Sequence, residues 1–385
     1  MGHILLAARA KVNLTLDILG RRPDGYHEIE SLMQSVDLAD IVRVSDGGPG
    51  IEIWSDSPDV PADSTNLAAK AALALATSCG ARLGARGARI QIHKRIPVAA
   101  GLAGGSADAA ATLLGLNELW GLGLQASELV EIGARVGADV PFCLTGGTAV
   151  ARGKGEFIEQ LPPLEGAWFV LVVPQIKVST ADVYRQFDVL LGDPGSLDDP
   201  GNPGEPGDPG ESGNPGGPGD RGSSVCGAVA ASASCGPAAA AAATAATYRP
   251  RGSNTAKAIE MARSRDIEGL AGALWNALEA VTARRNPEIA RIKEMLVARG
   301  ALGAVMSGSG PAVIGLVRSR ESALRVREEI SSRDISRDTG IAGTSVSGAS
   351  GAGVRVFVCG AAPAGVMVKE RECVGRGGEQ AWWMR

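Results

Sequence analysis

Apolar and polar positions alternate in short runs along the first third of the chain. "HILLAARAKVNLTLDIL", His3 to Leu19, reads as a strand, a polar interruption and a second strand. "EIESLMQSVDLADIVRVS" continues the alternation, "IEIWS" gives another short strand, and "GARIQIHKRIPV" a further one. Between these runs the period changes. "NLAAKAALALATSCG" predicts a helix ended by Gly80, Ser106 to Trp120 carries apolar residues at helical spacing, and "ASELVEIGARVGAD" predicts another helix. "GGTAVARGKGEFIEQL" reads as a hairpin and "AWFVLVVP" as a buried strand stopped at Pro174.

Periodicity then disappears. From Gly192 to Thr247 the chain is low in complexity, with Gly at every third position from Gly201 to Gly222 and an alanine-rich run behind it. Seven Gly-x-y triplets are too few to hold a triple helix, so the stretch is expected to be a disordered surface insertion rather than a collagen-like arm. Regular patterning returns at "GSNTAKAIEMARSRDIEGLAGALWNALE", which predicts two helices, the second starting near Asp266. "NPEIARIKEMLVARGA" predicts a helix with Asn286 as cap and Pro287 in its first turn. "GAVMSGSGPAVIGLV" reads strand–turn–strand, "RESALRVREEIS" a charged surface helix and "GVRVFVCGAA" a final strand. Pro363 to Arg385 shows no period and is expected to be a tail.

A length of 385 residues suits about two domains at a typical ~150 residues each. The net charge of −4 argues against a general nucleic-acid binder, which needs a basic surface, but leaves room for a local electropositive pocket. Six scattered cysteines without a Cys-x-x-Cys pair, and three histidines, give no zinc framework and fit a reduced cytoplasm. The apolar N-terminal run is interrupted by Arg9 and Lys11 too early for a signal peptide or a membrane span.

Four stretches carry candidate chemistry. "PVAAGLAGGSADAA", Pro97 to Ala110, joins a strand to a helix and is rich in small residues. It is either a backbone cradle for phosphate at a helix start or a tight loop leading into a close-packed helix. Neither the Walker pattern nor the dinucleotide glycine pattern is present. Lys11 and Asn13 lie two apart in an apolar strand and so share a face. The "RRPDGYHE" turn presents Tyr26 beside His27. Asp139, in "GADVPFCLTGG", is either a helix cap or a base, and "MSGSGPAV" is a second glycine-rich turn.

In this order the stretches resemble the GHMP kinase superfamily. "ARAKVNLTLDILGRRPDGYHEIESLMQSVDLAD", "KRIPVAAGLAGGSADAAATLLGLNELWGL", "GADVPFCLTGGTAVARGKGE" and "SGSGPAV" carry the likeness, over roughly residues 5–191 and 248–360. The "RPDGYHE" turn is the most specific of them and is similar to the branch that phosphorylates a cytidine diphosphate-linked methylerythritol. The resemblance implies an α+β fold of two domains, ribosomal-protein-S5-like over 1–165 and ferredoxin-like over 166–360. The 192–247 insertion would interrupt the second, with 361–385 appended. It also implies ATP and Mg²⁺ as cofactors, a small-molecule substrate, no nucleic-acid or membrane partner, and a cytoplasmic location.

By the same resemblance Asp139 takes a proton from the substrate hydroxyl and Lys11 polarises that hydroxyl. Pro97, Val98, Ala99, Ala100, Gly101, Leu102, Ala103, Gly104, Gly105, Ser106 and Ala107 would wrap the ATP phosphates, with Ser106 a possible phosphate or metal contact. Asn13, Tyr26, His27, Thr180 and Tyr184 would bind the substrate, the two tyrosines by stacking on the base. Asn66 matches a position near the adenine. Ala99, Ala100 and Ala103 stand where more glycine is common. Ala tolerates positive φ poorly, so strain is expected at Gly101, Gly104 or Gly105. Two other readings stay open: a kinase for homoserine or a mevalonate-type alcohol, and an idle binding protein that uses the Gly-x-y insertion as an arm.

Overall fold

The computed structural model describes residues 2–80, 86–191, 254–330 and 354–372. The insertion 192–247 and the C-terminal residues 373–385 lie outside them, so the expectations for the insertion are not addressed by the fold. The chain divides into one unit of residues 1–179 with 251–385 and a second of residues 180–250.

In the first unit the alternating runs form one large sheet. Its strands are β1 (His3–Asn13), β2 (Thr15–Arg21), β3 (His27–Gly47), β4 (Ile51–Ser55), β5 (Gly87–His93), β6 (Thr148–Gly153) and β7 (Phe157–Gln160). β3 is long enough, at 21 residues, to serve as the spine. It pairs antiparallel with β1 from Met33 to Ser45, with β5 through its second half and with β2 and β6 through its first. β6 and β7 form the expected hairpin. The interior lies between this sheet and three helices, α1 (Leu67–Cys79), α2 (Gly104–Leu119) and α3 (Ala126–Val136). α2 packs closely because it is made of small residues: a Cβ on Gly115 would stand 2.6 Å from Val44 Cγ2 and 2.9 Å from Leu6 Cδ1. A short helix α4 (Val140–Thr145) follows.

A second sheet holds β8 (Trp168–Val173), β10 (Gly303–Met306), β11 (Val313–Val317) and β12 (Arg355–Gly360), in the order β10-β11-β8-β12, all antiparallel. The helices Glu288–Ala298 and Arg320–Glu329 pack on it. The expected helix pair before it is Asn254–Ser264 and Ile267–Ala271, the latter starting next to Asp266 as expected, with Asp266 as its cap. The tiny strand β9 (Trp275–Asn276) pairs parallel with β2.

Two expectations are corrected. "GVRVFVCGAA" is not the last strand: Val366–Glu372 forms β13, which pairs antiparallel with β1 along His3–Ala8. The segment is half-exposed and short, so its alternation is faint in sequence, but pairing with β1 satisfies its backbone groups. The helix at 288–298 has Pro287, not Asn286, in the cap position; Asn286 closes the helix before it.

The second unit contributes one described helix, α5 (Thr180–Leu191). Thr180 and Tyr184 stand four residues apart on it, which places them on one face.

Candidate active site

The strand–helix loop at 97–107 is held by its carbonyls. Ala100 O accepts from Ala312 N at 3.1 Å, Gly101 O from Ser307 Oγ at 3.0 Å, and Leu102 O from Lys11 N at 3.1 Å. In a trans peptide the C=O and the following N–H point opposite ways. Three consecutive carbonyls turned into the protein therefore turn the amides of Gly101, Leu102 and Ala103 outward together. The dihedrals agree: φ is +53° at Ala99, +77° at Gly101 and +54° at Ala103, with negative values at Ala100 and Leu102. Alternating backbone handedness of this kind gathers N–H groups into a concave anion nest. The N-terminus of α2 adds its partial positive charge at the end of the loop.

This corrects the expectation about strain. Gly101 does take positive φ, but Gly104 and Gly105 do not, and Ala99 and Ala103 do. The alternation fixes the sign at every second residue whatever side chain stands there. Gly104 matters for space instead, since a Cβ there would lie 3.1 Å from both Lys94 Nζ and Ile96 Cγ2. Gly105 has only an ordinary 3.4 Å neighbour, Leu67 Cδ1. The loop has the backbone alternation of an anion nest, and the helix that follows is close-packed.

Lys11 stands just beyond an irregularity in the β1–β3 pairing, where Arg9 faces Ala39 but Lys11 faces Ser35. A bulge re-aims the next side chain. The buried Lys11 ammonium donates to Asn13 Oδ1 at 2.7 Å and lies 3.5 Å from Asp139 Oδ2. Asn13 Nδ2 donates to Ser31 Oγ at 2.8 Å, and Asn13 N donates to Ser307 Oγ at 3.1 Å. Asp139 precedes α4, but its side chain makes no cap hydrogen bond, and it is 35% exposed. The capping alternative is thereby removed, and the carboxylate faces a lysine with one side open. Ser106 lies in the first turn of α2 and does not cap it; a Cβ on Gly137, two residues before Asp139, would be 3.9 Å from Ser106 Oγ.

The Arg22–Tyr26 turn is closed by Arg22 N donating to Tyr26 O and Gly25 N to Arg22 O, with Gly25 at φ +83°. Asp24 Oδ1 accepts from Tyr26 N at 3.2 Å. Tyr26 is exposed, and Lys154 Nζ sits 4.5 Å above its ring centroid. His27 opens β3 on the same face as Ser31, four residues or ~13 Å along the strand.

Residues 66–147 match the GHMP kinases N terminal domain and residues 255–336 the GHMP kinases C terminal family. The 4-diphosphocytidyl-2-C-methyl-D-erythritol kinase of Syntrophomonas wolfei is 39% identical over 331 residues, which is 86% of this chain and 95% of that protein. The enzyme of the same name from Moorella thermoacetica is 40% identical over 330 residues, again 86% and 95%. The chain belongs to the 4-diphosphocytidyl-2-C-methyl-D-erythritol kinase family of GHMP kinases. A crystal structure of a 4-(cytidine 5'-diphospho)-2C-methyl-D-erythritol kinase superposes with a TM-score of 0.59 at 26% identity, over 93% of this chain and 100% of that one. Homoserine kinase from Cytophaga hutchinsonii shares the fold, with a TM-score of 0.62 at 18% identity over 95% and 97% of the two chains.

Several residues around this candidate site escape sequence reasoning. Asn276, on β9, donates from Nδ2 to both Met306 O and Gly308 O at 2.7 Å and so ties the "SGSGPAV" turn to β9. Its only sequence signal is a polar residue in an apolar run. A buried cluster also lies under the loop: Lys94 Nζ is 2.5 Å from Asp40 Oδ2 and 2.9 Å from Asp108 Oδ2. Burial and the neighbouring Asp40 carboxylate push Asp108 well above the usual carboxylate range, although Lys94 opposes this. Burial works against the Lys94 charge, but the two carboxylates leave its pKa raised. Removing one partner from such a cluster costs on the order of 3–5 kcal/mol. Asn66 is the N-cap of α1: Oδ1 accepts from Ala68 N at 2.9 Å and Nδ2 donates to Pro61 O at 2.7 Å. Its side chain is occupied by the protein itself.

Among the described residues, no group of three or more His, Cys, Asp or Glu side chains is placed to hold a metal. Among the described residues, no helix is long and apolar enough to cross a membrane.

Proposed function

We propose that this GHMP kinase transfers the γ-phosphoryl group of ATP to the 2-hydroxyl of 4-diphosphocytidyl-2-C-methyl-D-erythritol, in the non-mevalonate route to isoprenoid precursors. The observation that carries the reading is the meeting of an anion nest with an open lysine–aspartate pair, both tied to β1 and to Ser307.

Asp139 is the base. Its half-buried carboxylate, open on one side, accepts the hydroxyl proton while the substrate oxygen attacks the γ-phosphorus; the bond to the bridging β,γ-oxygen breaks and ADP leaves. Lys11, anchored on Asn13, polarises the same hydroxyl and faces the charge that gathers on the transferring group. Pro97 to Ala107 hold the ATP phosphates through the outward amides of Gly101, Leu102 and Ala103. Mg²⁺ fits this chain as a phosphate-borne ion, since the described residues offer no carboxylate cage and Mg²⁺ is commonly carried by one or two protein oxygens plus phosphates. Ser106 Oγ, in the first turn of α2, would be the protein oxygen in that role. Bound there, Mg²⁺ would neutralise phosphate charge.

Tyr26 and His27 read the cytosine, by stacking and by a hydrogen bond to its edge. The ~13 Å along β3 between His27 and the Ser31–Asn13 contact suits an extended substrate with its base at one end and its reacting hydroxyl at the other. Thr180 and Tyr184, on one face of α5, are further candidates for substrate contact by the family resemblance. The finer fold reading is a ribosomal-protein-S5-like module followed by a ferredoxin-like one. The four strands of the second sheet, with helices between β8 and β10 and between β11 and β12 and the order β10-β11-β8-β12, support the second. The enzyme acts in the cytoplasm.

The deciding experiment couples ADP release to the cytidine substrate, with homoserine and mevalonate in parallel. Turnover on the cytidine substrate alone is expected. Turnover on homoserine or mevalonate instead, or on none of the three, overturns the reading.

A further inference from the structure

Asp40, Lys94 and Asp108 take no part in the chemistry described above, yet their placement is specific. Asp40, on β3, uses one oxygen for Lys94 and the other for two consecutive backbone amides, Arg95 N at 2.6 Å and Ile96 N at 2.9 Å. Those amides are the last before the phosphate loop begins at Pro97. Asp108 lies in α2, one turn after Gly104, where the loop has just ended. Lys94 bridges the two carboxylates, and its Nζ lies where a Cβ on Gly104 would come within 3.1 Å. All three side chains are buried, and Asp108 Oδ1 has no hydrogen-bond partner. Two carboxylates share one ammonium in a dry site, although apolar side chains would fill the same volume at lower electrostatic cost. That cost has a geometric return. The start of the loop is tied through Asp40 and Lys94 to the helix turn at its end, so the separation of the loop's two ends is set by short, directional, charged contacts.

We propose that Asp40, Lys94 and Asp108 are positioning residues for ATP: they hold the ends of the loop at the spacing in which the amides of Gly101, Leu102 and Ala103 converge on phosphate. None of them touches the nucleotide. The inference rests on the reading of Pro97 to Ala107 as the ATP loop.

The test is steady-state kinetics of the full chain beside thermal unfolding, for Lys94→Met, Lys94→Met/Asp108→Asn and Asp40→Asn. Lys94→Met leaves two carboxylates facing each other, so both stability and loop geometry suffer. The double variant removes one of those charges and recovers melting temperature. It is expected to keep a KM for ATP raised about tenfold or more, with the KM for the alcohol substrate within about twofold, because the bridge is still missing. Asp40→Asn retains an oxygen for the Arg95 and Ile96 amides but turns its Nδ2 donor toward the Lys94 ammonium, so that contact is lost; its KM for ATP is expected to rise severalfold. A purely structural cluster moves melting temperature without moving the KM for ATP. The proposal is overturned if the double variant and Asp40→Asn, assayed well below their melting temperatures, bind ATP like the wild type. It is equally overturned if the double variant recovers the KM for ATP as fully as its stability. A wild-type chain without any ATP-dependent turnover would instead sink the kinase reading itself, so the two failures are distinct.

Discussion

Gly101→Ala is the sharpest perturbation of the loop. Gly101 sits at φ +77°, where an alanine costs on the order of 1–2 kcal/mol. The larger effect is steric. A Cβ at this position would fall inside the contact distance of Ser307 O, with Gly310 O at 3.1 Å and Gly310 N at 3.2 Å. All three are backbone atoms, so no side chain can swing aside. Relief requires the loop and the Ser307–Gly310 turn to separate by on the order of 1 Å, and a misplacement of that size near the chemistry costs about 10²-fold. The same separation strains the Ser307 Oγ to Gly101 O and Ala312 N to Ala100 O hydrogen bonds, each with a net worth of about 1 kcal/mol. The expected outcome is a fall of about 10²-fold in kcat/KM for ATP, with a melting temperature lower by several degrees. The assay is coupled ADP release over a range of ATP concentrations, with Gly105→Ala alongside. Gly105 has negative φ, is the second residue of α2 and has only an ordinary neighbour, so that variant is expected to stay within about threefold of wild type. Equal behaviour of the two variants would refute the nest geometry.

The other predictions concern the pair, the strained alanines, the buried cluster and the turn. Asp139→Asn should lower kcat by about 10²–10⁴-fold, the usual share of a general base, while calorimetry still detects binding of the cytidine substrate; near-normal kcat would remove Asp139 from that role. Ala99→Gly and Ala103→Gly should keep full turnover and melt within about 1 °C of wild type or above it, since glycine accepts positive φ and its extra unfolded-state entropy offsets the relief. A clear loss of activity in either would mean that the alanine methyl has a contact role. For Asp108 the sign follows from its raised pKa: folding retains a proton there, so its contribution is full below the ordinary aspartate range and is lost as pH rises through the raised value. Asp108→Asn should therefore gain melting temperature relative to wild type as pH rises out of the ordinary aspartate range; a difference independent of pH contradicts this. Tyr26→Ala should raise the KM for the cytidine substrate by about tenfold with the KM for ATP unchanged, because it removes the stacking plate at the exposed turn.

Much of this was written locally. The alternation of β1 to β5, the small-residue period of α2 and the turn signal at Pro23-Asp24-Gly25 determine their elements through interactions a few residues apart, and each element formed where its pattern lay. The order of Lys11, the "RPDGYHE" turn, the Ala/Gly loop and Asp139 was likewise legible, and it carried the family. Tertiary structure alone decided the rest, because it depends on partners far away in the chain. β13 is a strand because β1 offers it an edge more than 350 residues earlier, which no local period reports. Ala99 and Ala103 take positive φ because Leu102 O is held by Lys11 and Gly101 O by Ser307, contacts that override alanine's own preference. Asp40, Lys94 and Asp108 look like ordinary surface charges in sequence. They become a buried cluster only when β3, the end of β5 and the first turns of α2 close on one another, because a charge's environment is set by what folds over it.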